Sequence, residues 1–318
     1  MNVSFYVKAG EKTGMGHIYR CLALADKLTA LGATCHFFSY GLAARMATDA
    51  GYGLRQFLEF DDVWVADLEG GVPPARAQEM RERSGTFVIL NGVGYPDGDP
   101  GRLVADLVFY QGVTDRPHKL DWSGFRGAWF EGVEWVILRD GIVRRWRETY
   151  HEPFPRVVVV GGGADIGGVS RRVMGAIDYH RYDVRVVVGA ASPDGDGWPN
   201  EVAVVKNPPD FFKHLDWADV AVVSYGMTAF ECLASGLPTV ALSITPDHKA
   251  SADLVQQRSR YSLFSVGMVD EVTDEDIQDA VEVALLSTGQ MSGMALEFCD
   301  GMGAARAAEK IMEVAGVG

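Results

Sequence analysis

Two hydrophobic rhythms alternate along this chain. Short apolar, β-branched and aromatic runs predict strands, and stretches with apolar positions every three or four residues predict helices. VSFYVKA (3–9) predicts a strand, HIYRCLALADKLTALG (17–32) a helix and TCHFFSY (34–40) a second strand. Within that helix Ile18, Leu22, Leu24, Ala25, Leu28 and Leu31 share one stripe, and Gly32 supplies the stop. A helix at 43–51, strand at 62–68, helix at 73–85 and strands at 86–90 and 106–112 follow. Such a βαβα order predicts a parallel sheet with helices on both faces.

Between about 113 and 154 the rhythm breaks, and RRWRETYHEPFP, polar and closed by prolines, predicts an interdomain linker. A new cycle opens with RVVVVGGGADIGG (156–168). Strands at 182–190, 202–207, 219–226 and 238–244 then alternate with helices at 208–217, 227–236 and 248–257. The chain closes on two amphipathic helical stretches, TDEDIQDAVEVALLS and GAARAAEKIMEVAG. The fold class is therefore α/β, with two Rossmann-like domains facing a cleft. Residues 1–150 form the first and 151–318 the second, and the last helix is expected to pack back on the first.

The formal net charge of −14 disfavours nucleic-acid and anionic-membrane partners. Arg139, Arg144, Arg145 and Arg147 are a local exception, most simply a solvated helix face. The four cysteines, Cys21, Cys35, Cys232 and Cys299, are scattered, which fits reduced thiols in the cytoplasm better than a disulfide framework or zinc site. MNVSFYVKAG lacks the charged and apolar regions of a signal peptide, and no apolar run is long enough to span a bilayer. Asp97-x-Asp99 stands in a Gly/Pro-rich loop and reads as turn chemistry, so no metal site is expected.

Three glycine-bearing turns follow predicted strands. Ligands of open parallel sheets bind at the carboxyl ends of strands, so all three are candidates for a site. The first carries Gly10, Gly14 and Gly16 and leads into His17, without the third glycine of a dinucleotide fingerprint. A histidine at a helix start has its charged form disfavoured by the helix dipole, which suits a neutral general base; the plainer reading is a capping histidine. The second turn, GGGADIGG (161–168), allows close backbone approach, with Asp165 able to cap the next helix. In the third, SYGMTAFE (224–231), Thr228 and Glu231 have capping-box spacing. The same geometry offers free N–H groups to a pyrophosphate and a carboxylate to ribose hydroxyls. Asp247 and His248 form either an acid/base unit or a capping aspartate beside a surface histidine.

Four motifs in order carry a resemblance: GMGHIYRCLALA (14–25), GVEWVILR (132–139), GGGAD (161–165) and SYGMTAFECLASGLP (224–238). The chain resembles GT-B nucleotide-sugar enzymes, and more closely the group of spore-coat polysaccharide glycosyltransferases and the UDP-sugar hydrolase of pseudaminic acid synthesis. The resemblance implies that His17 is the general base and that Gly14 and Gly16 shape the sugar-facing loop. It implies that Ser224, Tyr225, Gly226, Met227, Thr228 and Gly163 surround the nucleotide, with Glu231 on the ribose. Uracil would stack near 204–212. The departures fall on the sugar and acceptor side. Where the hydrolase has Asp-His-Tyr-Gly this chain has Asp67-Leu68-Glu69-Gly70, and an Asp-Asp pair is Asn91-Gly92. An Asn-Gln pair is replaced by Asp247-His248-Lys249.

These features favour a glycosyltransferase that deprotonates an acceptor hydroxyl with His17. The runner-up is a nucleotide-sugar hydrolase using His17 on water, and a non-catalytic nucleotide-sugar-binding subunit comes last. The donor is a nucleotide sugar, presumed UDP by resemblance, and the acceptor is unknown. No cofactor or metal is expected, and Arg20 or Lys249 is a candidate to support the departing diphosphate.

Overall fold

The computed structural model describes residues 1–10, 13–92, 99–192 and 197–316. The chain forms two compact units, Met1–Asp140 with Met302–Gly318, and Gly141–Gly301.

In the first unit the elements are β1 (Asn2–Val7), α1 (Gly16–Ala30), β2 (Thr34–Phe38), α2 (Gly41–Asp49), β3 (Gly53–Leu54) and β4 (Asp61–Asp67). They continue with α3 (Pro74–Glu82), β5 (Ser84–Gly92), β6 (Leu107–Gln111) and β7 (Ala128–Phe130). All seven strands are parallel, in the order β3-β2-β1-β4-β5-β6-β7. Alternating side chains of these strands fill both faces of the sheet: Phe5, Phe37, Trp64, Phe87 and Phe109 are all fully buried. Such two-sided burial is why the strands read as nearly continuous apolar runs. The unit's last helix (Gly303–Val314, numbered α10 below) lies against α1.

The second unit contains β8 (Arg156–Val160), α4 (Val169–Ala176), β9 (Asp183–Val188), β10 (Ala203–Lys206), α5 (Phe211–Trp217) and β11 (Val220–Ser224). Next come α6 (Met227–Ala234), β12 (Thr239–Ser243), α7 (Pro246–Arg258), β13 (Leu263–Met268), α8 (Asp274–Leu286) and α9 (Thr288–Phe298). Its six parallel strands run β10-β9-β8-β11-β12-β13. A valine-rich core between sheet and helices includes Val157, Val159, Val222 and Val240.

Both sheets reverse their strand order after the first strand, between β1 and β4 and between β8 and β11. In doubly wound sheets that reversal opens a crevice at the strands' carboxyl ends. Val7 faces Asp67 across the first reversal, and Val160 pairs with Val223 across the second.

Two sequence expectations are corrected. The division falls after Asp140, not after residue 150, because the segment from Gly141 is held by the second unit. Arg144 donates to the carbonyls of Ala234, Leu296 and Cys299. The arginine cluster is not a solvated helix face either: residues 141–148 are non-helical, and Arg147 is only 5% exposed. Its guanidinium donates to Ser235 O at 2.7 Å, Leu215 O at 3.1 Å and Ala218 O at 3.3 Å. Burial, helped by neighbouring Arg145, lowers its pKa to about 10. Arg139 lies in the first unit, 4.6 Å from the ring centre of Tyr19. Among the described residues no helix is long and apolar enough to cross a membrane.

Candidate active site

The loop after β1 folds back on itself, with Gly10 N donating to Gly14 O at 3.2 Å. Gly14 makes that turn at φ +75°, a left-handed conformation that favours glycine. Buried Met15 anchors the end of the loop, and α1 starts at Gly16, so His17 is its second residue. The neighbouring strand β4 ends on Asp67. The aspartate that follows the apolar run VWVA (63–66) therefore meets the start of α1 at the sheet's reversal point.

His17 Nδ1 lies 2.7 Å from Asp67 Oδ1. Arg20, one turn further along α1, grips the same carboxylate with Nε on Oδ2 and Nη2 on Oδ1, both at 2.5 Å. Cys21 donates its thiol to Oδ2 at 3.6 Å. Asp67 is fully buried, whereas 14% of the His17 side chain is open to solvent. Burial pushes the Asp67 carboxyl upward, but the positive charge of Arg20 and then of His17 outweighs it and brings the pKa to about 2. For Cys21, burial first and the Asp67 charge second hold the thiol protonated.

A carboxylate in that state only accepts, so the 2.7 Å contact requires the proton on His17 Nδ1, and in the neutral imidazole the lone pair is then on Nε2. Arg20 Nη2 also approaches Nδ1, at 2.9 Å. Both atoms are then donors, so this approach follows from their convergence on Oδ1 and is not a further bond. Two sequence assignments change accordingly. Asp67 is beneath His17 and orients it, with no exposed surface to offer a sugar or acceptor. Arg20 is committed to Asp67 and 6% exposed, which removes it as the support for a departing diphosphate.

In the second unit, Gly163 O accepts from Ala191 N at 2.9 Å. A Cβ at Gly189 would fall 2.4 Å from Gly163 Cα and O, so the loops after β8 and β9 can pack this closely only with glycine at 189. Asp165 accepts from Ser170 N in the first turn of α4, at 3.3 and 3.4 Å.

The capping-box expectation at Thr228 is overturned: α6 begins at Met227, its N-cap is extended Gly226, and among the described residues no side chain caps it. Thr228 therefore sits inside the first turn, whose N–H groups lack intrahelical acceptors. Ser224 ends β11 beside it. The Tyr225 side chain turns away into the core, 3% exposed, with its hydroxyl 2.7 Å from Ser251 Oγ. It can contribute only backbone to a ligand, correcting its place among the nucleotide contacts. Glu231 is fully buried within α6.

Nor does Asp247 cap the following helix. Thr245 does, accepting from His248 N at 3.1 Å, with Pro246 at the first helical position. The His248 ring lies against Tyr225, its Nδ1 is buried without a hydrogen-bond partner among the described residues, and burial lowers its pKa despite Asp247. It is thus only partly a surface histidine. Lys249 pairs with Asp253 at 2.7 Å. Asn91 belongs to β5, and its side chain lies outside the described residues. So does Asp97. Asp99 is buried and accepts from Val72 N and Gly101 N, holding its turn together. Among the described residues no cluster of histidine, cysteine and carboxylate side chains is arranged to hold a metal ion.

The fold that these two units define is that of the GT-B glycosyltransferases. The kitacinnamycin glycotransferase matches with a TM-score of 0.66 at 16% identity, covering 98% of both chains. MurG of Acinetobacter baumannii matches at 0.65 and 15%, over 98% of this chain and 99% of its own. The spinosyn rhamnosyltransferase SpnG, solved with thymidine diphosphate, matches at 0.66 and 14%, over 98% and 99%.

By sequence, the chain is similar to the spore coat polysaccharide biosynthesis protein SpsG of Bacillus subtilis, 19% identical over 87% of each chain. An uncharacterised protein of Methanocaldococcus jannaschii is 20% identical over 76% of this chain, which spans only 55% of that longer relative. No family model matches.

Proposed function

We propose that this chain is a glycosyltransferase that moves a sugar from a nucleoside diphosphate, uridine by the motif resemblance, to an acceptor hydroxyl. The observation that carries the reading is the 2.7 Å His17–Asp67 contact at the carboxyl ends of β1 and β4. His17 Nε2 takes the acceptor proton as the acceptor oxygen bonds to the anomeric carbon. The bond from that carbon to the diphosphate oxygen breaks, and the diphosphate leaves with the electron pair. Asp67 fixes the ring and stabilises the imidazolium that forms. The first turn of α6, from Gly226 to Thr228, supports the developing negative charge with backbone N–H groups and the helix dipole. Similarity to SpsG and to a glycosyltransferase solved with thymidine diphosphate supports a nucleotide-sugar donor.

The test is nucleoside diphosphate release from UDP- and TDP-sugars, with and without hydroxyl acceptors. Acceptor-dependent release is the expected result. Equal release in water alone would instead assign a hydrolase, in which the same dyad activates water. Binding without turnover under any condition would leave only a nucleotide-sugar-binding subunit.

A further inference from the structure

The first unit carries a second feature at the same end of its sheet. A groove of about 460 Å³ is lined by Lys8, Gly10 and Thr13 from the loop after β1, and by Tyr40, Gly41 and Arg45 around the start of α2. Its size falls within the range of small-molecule sites, about 300–1,000 Å³. The chain holds 43 acidic residues against 29 basic ones, and other cations of this unit are paired: Lys27 with Asp140, Arg55 with Glu59 and Asp61. Lys8 and Arg45 are different. Both are exposed, and among the described residues neither makes an ion pair. Lys8 Nζ is held 5.8 Å from the ring centre of Tyr6.

We propose that this groove binds a phosphoryl group carried by the acceptor, an inference that rests on the transferase reading for the word acceptor but not for the binding. A strongly acidic protein repels anions at long range, so capture of one needs local cations facing a common concavity. Two cations on one concavity favour a phosphoryl dianion over a carboxylate monoanion by charge, and the guanidinium fork can take two of its oxygens at once. Tyr40, 64% exposed and braced edge-on by Phe38, offers an aromatic face beside the two charges for the attached sugar. His17 follows Thr13 by four peptide steps, so their Cα atoms are at most about 14 Å apart. A ligand one or two sugar rings long can therefore reach from the groove to the His17 base.

The experiment titrates the full chain, saturated with UDP to occupy the α6 start, with inorganic phosphate, glucose 1-phosphate and acetate. Wild type, Lys8→Gln, Arg45→Gln and the double variant are compared, with thermal unfolding confirming that each is folded. The phosphate probes should bind tighter than acetate, weaken roughly tenfold in each single variant and cease to bind in the double variant. Equal affinity in wild type and double variant, acetate binding as tightly as phosphate, or no phosphate binding to wild type would overturn the proposal. Because no sugar transfer is needed for this readout, intact phosphate binding in a chain that never transfers a sugar would overturn the transferase reading and leave the groove standing.

Discussion

Asp67 holds His17 from below: its Oδ1 is 2.7 Å from the ring's Nδ1, at zero exposure, with Arg20 closing the other side of the carboxylate. One buried charge thus sets both a tautomer and a ring orientation. Asp67→Asn keeps the shape but offers an amide that can donate toward Nδ1. Turnover should fall about 100-fold or more, as when a buried carboxylate behind a catalytic histidine is neutralised, with KM for the donor little changed. A kcat/KM split measured on this variant checks the positioning role.

His17→Ala removes the proposed base. Turnover should drop roughly 100-fold or more while UDP binding, measured calorimetrically, persists. Wild-type turnover in this variant would end the general-base assignment.

The same carboxylate makes stability depend on acid. Its folded pKa of about 2 lies below the ordinary 3.8, so its contribution is present above about pH 4 and is lost as pH falls toward 2. That contribution is of order 2 kcal/mol. Urea unfolding of wild type between pH 5 and 2 should show this loss. Asp67→Asn should be destabilised by about 3–5 kcal/mol at neutral pH, since buried Arg20 loses the carboxylate charge it grips, and should lack this acid-dependent component.

Two threonines separate capping from ligand binding. Thr245→Ala should cost about 1 kcal/mol in thermal or denaturant unfolding, because Thr245 caps α7. Thr228→Ala should change stability by less than about 0.5 kcal/mol, since no side chain caps α6. If Thr228 faces the diphosphate, the same variant weakens UDP binding instead.

Arg147→Met replaces a buried guanidinium with a shorter apolar side chain and takes the guanidinium donors from the carbonyls of Leu215, Ala218 and Ser235, of which Leu215 and Ser235 keep the backbone donors Ala218 N and Arg145 N. A loss of about 3 kcal/mol is expected on denaturant unfolding.

Much of the fold is legible because period alone decides it. Parallel strands buried on both faces are runs such as RVVVV, and helix α1 carries an unbroken apolar stripe. Missed elements have physical reasons. β3 and β7 are two and three residues long at sheet edges, too short for any period. β13, LFSVGM, interrupts its apolar run with serine and glycine. The site is legible only in part. His17 announces itself by its glycine loop, but its partner lies 50 residues away, and only the β1–β4 pairing brings them together. Local spacing misleads in the same way at Thr228, where extended Gly226 moves the helix start ahead of the threonine. The buried role of Arg147 depends on carbonyls 68 to 88 residues further along the chain, which no nearby pattern encodes.

α10 belongs to the first unit although the whole second unit precedes it in the chain. It lies on α1, the helix that carries His17 and Arg20, and Gly303 packs so closely on the Val136 carbonyl that an added Cβ would sit 2.2 Å from its oxygen. Synthesis from the ribosome therefore delivers the seven-stranded sheet long before the helix that covers this flank. A fragment ending at Asp140 presents a naked face of α1 to water, and the unit that carries His17 gains its last helix only after the intervening second unit has been made.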